Sequence, residues 1–121
     1  MYRLKIGGTM KKSTITVLLI EPLKAPRAVE IPAELSAYQN AVGGTIEAIY
    51  PFEDAAALIC CDEGKLLGMP LNRPLFDEDG RLYDVIAGTF FIAGLSEDDF
   101  TSLPPELIEK YTAMFGSILI L

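Results

Sequence analysis

At 121 residues, with 50% apolar and 22% charged residues, the chain has room for one domain and one real core, which excludes a disordered protein. The apolar run Ile15 to Ile20, with a threonine inside it, is far short of the roughly 18 residues that span a bilayer, and no charged-then-apolar leader ends in a cleavage site. A cytoplasmic location is therefore expected. Net charge is −7, unevenly divided: residues 1–50 carry six Lys/Arg against four Asp/Glu, and residues 51–121 carry four against thirteen. That acidic second half argues against a nucleic-acid surface, because duplex binding rests on cations that neutralise phosphates. The acids are interrupted by apolar strands, so a solvated rim is preferred over an acidic mimic of DNA.

Met10-Lys11-Lys12 reads as a natural start, with residues 1–9 as an extension outside the domain: a scar, an alternative start or an added edge strand. The single domain is placed at residues 10–121. Ser13 to Ile20 is rich in β-branched and apolar residues and reads as a strand, stopped at Glu21-Pro22 where the ladder donor is lost. Arg27 to Ile31 alternates and reads as a second strand. Pro32 is expected to open a helix in which Leu35, Tyr38 and Val42 share one face, and Gly43 suits its left-handed cap. Thr45 to Tyr50 returns to strand.

Ala56 to Cys61 is the expected hairpin partner, leading into a turn at Asp62-Glu63-Gly64 where glycine supplies a positive φ, after which Lys65-Leu66-Leu67 comes back. Residues 68–81 read as a turn-rich loop, with a sharp turn at Asp77-Glu78-Asp79-Gly80. Leu82 to Gly94 is the longest apolar stretch and the candidate central strand, broken at Gly88. Ser96 to Asp99 is expected to form a short helical turn. Pro104-Pro105 starts a final helix with a core face of Leu107, Tyr111, Met114 and Phe115, closed by Gly116. Ser117 to Leu121 is one more strand or an apolar tail that docks on a neighbour, which gives the chain a reason to form a homodimer. Strands grouped around two helices point to an α+β fold with a mostly antiparallel sheet, one helix after the second strand and a C-terminal helix packed on it.

The chain has no histidine, which removes the usual general base and the commonest metal ligand. No serine lies in a nucleophile elbow, and Gly43-Gly44 follows a helix rather than opening one, so it is no phosphate loop. Cys60 and Cys61 are adjacent and lack further soft ligands, so they read as small strand side chains, only one of which faces a core. The acids around Asp77 and around Asp98 match no calcium loop. Neither a catalytic set, a metal site nor a cofactor is expected. One constellation offers recognition chemistry: Gln39 and Asn40 at the helix end, Glu63 and Lys65 at the hairpin tip, and Asn72 and Arg73 in the loop. Amides present both donors and acceptors, and a guanidinium fork orients a carboxylate or phosphate. Each also has a structural use, in capping a helix end or tying a loop to the body.

The phrases Val42-Gly43-Gly44-x-Ile46-Glu47, Glu63-Gly64-Lys65, Leu71-Asn72-Arg73 and Asp84-x-Ile86-x-Gly88-Thr89 resemble a family of small uncharacterised domains from phages, plasmids and conjugative elements, mostly of Gram-positive bacteria. Many relatives carry an Asn-Glu pair where this chain has Cys61-Asp62 or Asp62-Glu63. The resemblance implies a small accessory protein of a mobile element. The leading expectation is a non-enzymatic module that binds a host or element-encoded protein. The alternative is a binder of a small nucleotide-like ligand, such as a host defence signal, held by Lys65, Asn72 and Arg73.

Overall fold

The computed structural model describes residues 13–118; the extension placed at residues 1–9 and the last three apolar residues lie outside them. Strand β1 (Thr14–Ile20) pairs with β2 (Arg27–Pro32), and helix α1 (Leu35–Val42) then leads to β3 (Ile46–Ile49) and β4 (Ala56–Cys61). A ribbon of β5 (Leu71–Phe76) and β6 (Leu82–Ala87) precedes β7 (Phe90–Leu95), the short β8 (Phe100–Thr101) and helix α2 (Pro105–Met114). The main sheet has the order β2-β1-β7-β4-β3 with β8 beside β7, and every pairing is antiparallel. The α+β fold read from the sequence is the one observed, and β7 is the central strand within the stretch expected to supply it.

Both faces of this sheet are covered, and that accounts for its unbroken apolar strands. Every residue of β4 is buried. Alternation sends Leu18, Ile20, Leu58, Cys60, Phe90 and Ile92 to one face, where Tyr111 and Phe115 of α2 join Leu75 and Ile86 of the ribbon. Val17, Ala57, Ile59, Cys61, Phe91 and Ala93 go to the other face, under Tyr38 and Val42 of α1. Two cores therefore replace the one core expected from the sequence. For the same reason both cysteines are buried, Cys60 on the face covered by the ribbon and α2 and Cys61 on the face under α1. Burial pushes the Cys60 thiol up to about 11.

Gly43 caps α1 with φ 82°, and its N–H and that of Gly44 both donate to the Gln39 carbonyl. Several local expectations are corrected. Pro32 ends β2 instead of opening α1, whose N-cap is Glu34, and Leu35 stays exposed. The β3–β4 connection lies at residues 50–55, so Glu63 and Lys65 follow β4, in a run of turns over residues 62–68 that does not return as a strand. Gly68, not Gly64, supplies the positive φ there. Gly64 is needed for space, because a Cβ would stand 2.7 Å from the Ala87 carbonyl oxygen.

Residues 71–76 are strand, not loop. Proline is tolerated in β5 because it belongs to a two-stranded ribbon with an open edge. Ser96 to Asp99 is a bend in which the Ser96 N–H and hydroxyl donate to the Asp99 carbonyl. In α2, Tyr111 and Phe115 are buried but Met114 is 53% exposed, and the cap is Phe115 rather than Gly116. No helix among the described residues is long and apolar enough to cross a membrane.

Candidate functional site

The six residues singled out in the sequence do not converge. Gln39 is half-buried at the α1 terminus, where its carbonyl serves the cap. Asn40 is exposed on a groove it shares with Val29 and Ile31 of β2. Glu63 and Lys65 border a cavity of about 230 Å3 between β4, the 62–68 turns and β6. Lys65 Nζ is held there by Asp84 Oδ1 at 2.6 Å, and the remaining charges on that wall, Glu47, Asp62 and Glu63, are all acidic.

Asn72 and Arg73 are each only 1% exposed, and both serve the main chain. Asn72 Nδ2 donates to the carbonyls of Ile20 and Gly88, both at 2.9 Å, while its Oδ1 accepts from Arg73 Nη1 at 2.8 Å. Arg73 Nε donates to Phe115 O at 2.9 Å and Nη2 to Lys24 O at 2.6 Å, with a longer contact from Nη1 to Glu21 O. One guanidinium thus joins the β1–β2 turn to the end of α2. No acid faces it among the described residues; the carbonyl end of the helix does, which is where a cation is favourable. Burial draws its pKa below the usual arginine value.

A different surface has the features of a binding site. The β3–β4 connection, the outer end of the β5–β6 ribbon and α2 enclose a groove with two confluent parts. The inner part, about 380 Å3, is lined by Phe52, Pro74, Leu75, Phe76, Met114 and Phe115, and by Arg73. The outer part, about 510 Å3, shares Pro51, Phe52, Phe76 and Met114 with it and adds Glu53, Asp54, Asp77, Glu78, Tyr83, Lys110 and Tyr111.

Phe52 is the pivot of the floor. Its ring packs 4.4 Å from that of Tyr111 and 6.3 Å from that of Phe115, so the β3–β4 connection is seated on α2. Asp54 completes the seat, accepting from the Tyr111 hydroxyl at 2.6 Å and from Lys110 Nζ at 2.7 Å. Those two donors hold the Asp54 carboxyl below its ordinary value. Burial and the adjacent carboxylate push the Tyr111 hydroxyl well above the usual tyrosine range. Above the floor, Phe76 is 58% exposed and Tyr83 52%.

Sequence reasoning missed this groove because its residues come from three segments far apart in the chain. The available signal was the aromatic pair Phe76 and Tyr83 bracketing the acidic turn, which no core face claimed. Among the described residues, no group of three or more His, Cys, Asp or Glu is placed to hold a metal ion. The arrangement offers adhesion and charge.

No curated protein and no solved structure matches the chain. The family described as a domain of unknown function (DUF3846) matches residues 15–116, which take in both helices and every strand but the first residue of β1, and the chain belongs to that family.

Proposed function

We propose that the protein is a non-enzymatic accessory module, of the kind a phage or other mobile element carries, and that its groove beside α2 docks a host or element-encoded protein. The observation that carries this reading is the exposure of Phe76, Tyr83 and Met114 around one concavity. Large apolar side chains gathered at a concave surface with a polar rim mark interaction sites, whereas isolated ones need no explanation. Two adjacent exposed leucines, Leu66 and Leu67, lie on the 62–68 turns beside a polar cavity and form no such floor.

The alternative, a nucleotide-like ligand, needs free cations in a pocket. Lys65 is paired with Asp84 and the Arg73 donors serve carbonyls, while the cavity at Lys65 is edged by acids. Those contacts support the partner-binding reading. A homodimer through residues 117–121 remains compatible with it, although residues 119–121 lie outside the described ones.

A photo-crosslinking amino acid placed in the full chain at position 76 or 114, with position 66 as control, tests the proposal in the native host. One defined protein cross-linked from positions 76 and 114, with the cross-link from position 114 lost in Phe76→Ser at unchanged melting temperature, is the expected result. Equal cross-linking from position 66, or a retained small mass in native mass spectrometry with no protein partner, would contradict it.

A further inference from the structure

The groove has two chemically different ends, and this contrast narrows the partner. We infer that it receives a basic amphipathic segment of a protein, with an apolar side chain entering the inner end and lysine or arginine side chains lying along the outer end. The inference rests on the partner-binding reading above.

At about 380 Å3 the inner end is at the small end of ligand pockets, roughly 300–1,000 Å3, and takes an anchor side chain rather than a folded surface. Its walls are Phe52, Phe76, Met114 and Phe115, Arg73 also lines it with its donors engaged by backbone carbonyls, and no carboxylate does. An apolar anchor therefore strips no carboxylate of its water there.

The outer end is governed by four carboxylates, Glu53, Asp54, Asp77 and Glu78, against one cation, Lys110. Lys110 is engaged by Asp54. Asp77 spends Oδ1 on the N–H groups of Asp79 and Arg81 within its turn but keeps its charge. Glu53 and Glu78 have no ion-pair partner among the described residues. The residual field is negative, and it lies over exposed carbons of Phe76 and Tyr83, the surface on which lysine and arginine stems pack while their heads reach carboxylates. Such a field attracts cationic chains and repels anionic ones. An acidic segment, a nucleic acid and an anionic membrane are all disfavoured there.

The test is selection of a displayed library of random twelve-residue peptides on the full chain, followed by fluorescence anisotropy of the strongest binders labelled with fluorescein. The account expects enriched peptides that combine Lys/Arg with a large apolar residue and bind several-fold more weakly in high salt. Glu53→Gln with Glu78→Gln, both exposed positions, should weaken them by at least about tenfold at unchanged melting temperature, and Phe76→Ser should do the same. Peptides that lose binding in Phe76→Ser but are acidic or uncharged overturn the basic-segment inference and leave the groove reading standing. Apolar peptides that mimic residues 117–121 overturn it in favour of the chain's own terminal segment. Peptides indifferent to Phe76→Ser, or no enrichment at all, overturn both.

Discussion

Arg73 Nε lies 2.9 Å from the carbonyl oxygen of Phe115, so a strand residue fixes the end of the helix that forms one wall of the groove. The same guanidinium holds the Lys24 carbonyl, and its neighbour Asn72 holds those of Ile20 and Gly88. The β5–β6 ribbon is thereby locked to the main sheet and to α2 through polar contacts in a buried place. The lock holds the helix end that walls the groove, and the guanidinium, its donors engaged by carbonyls, also lines the inner part.

Arg73→Lys is expected to destabilise the fold. An ammonium cannot reach three diverging carbonyls as a fork does, and stranding buried acceptors costs about 2–3 kcal/mol. Denaturant midpoints should show this loss while binding by the residual folded protein stays close to normal. Unchanged stability with lost binding would return Arg73 to the role of a ligand residue.

Phe115→Ala is expected to cost about 3–5 kcal/mol, the range for an aromatic core deletion. The Phe115 ring is 4% exposed and meets Phe90 and Phe52 at centroid distances of 5.7 and 6.3 Å. Thermal unfolding measures the effect. A melting temperature unaltered by the substitution would remove the end of α2 from the core.

Alkaline stability is expected to carry a Cys60 component. Its thiol is raised from 9.0 to about 11 in the fold, so it is protonated in both states below the lower value. Between the two, the unfolded chain loses the proton more readily, and stability falls as pH rises through that window. Tyr111, also raised, acts with the same sign from about pH 10 upward. Denaturant midpoints measured across this range should decline less steeply in Cys60→Ala than in the parent. Fast stoichiometric reaction of the native thiols with a disulfide reagent near neutral pH would contradict the burial.

Gly64→Ala is expected to cost about 1–3 kcal/mol, the usual penalty for forcing atoms into filled space. Its Cβ would press on the main chain of Ala87 in β6, 2.7 Å from the carbonyl oxygen, and backbone cannot rotate away. Gly80→Ala, in an open turn where the added carbon meets nothing within 4 Å, should lose only the smaller cost of its positive φ, about 1–2 kcal/mol. Equal effects at the two positions would refute the close approach.

The fold was readable where local pattern and final environment agree. Runs such as Ile15 to Ile20 and Ala56 to Cys61 are apolar because helices cover both sides of their sheet, and Gly43 lies where a helix must end. Residues 71–76 misled because Pro70 and Pro74 resemble loop punctuation, while the open edge that admits Pro74 is a tertiary fact. Asn72 and Arg73 stood out correctly as unusual polar residues, but their chemistry is spent on carbonyls more than forty residues away in the chain, from Ile20, Lys24 and Phe115. Met114 has the spacing of a core residue and is exposed because nothing among the described residues covers that side of α2. Helical period alone cannot distinguish a face that meets a neighbour from one that awaits it.

The most direct test of the groove as the binding surface is amide chemical-shift mapping by NMR, adding the strongest selected basic-apolar peptide to the full chain. The account predicts shifts concentrated at Phe52, Asp54, Phe76, Tyr83, Lys110 and Met114, with the amides of Lys65 and Leu66 unmoved. Shifts centred on the 62–68 turns or on β2, with the groove silent, would contradict it.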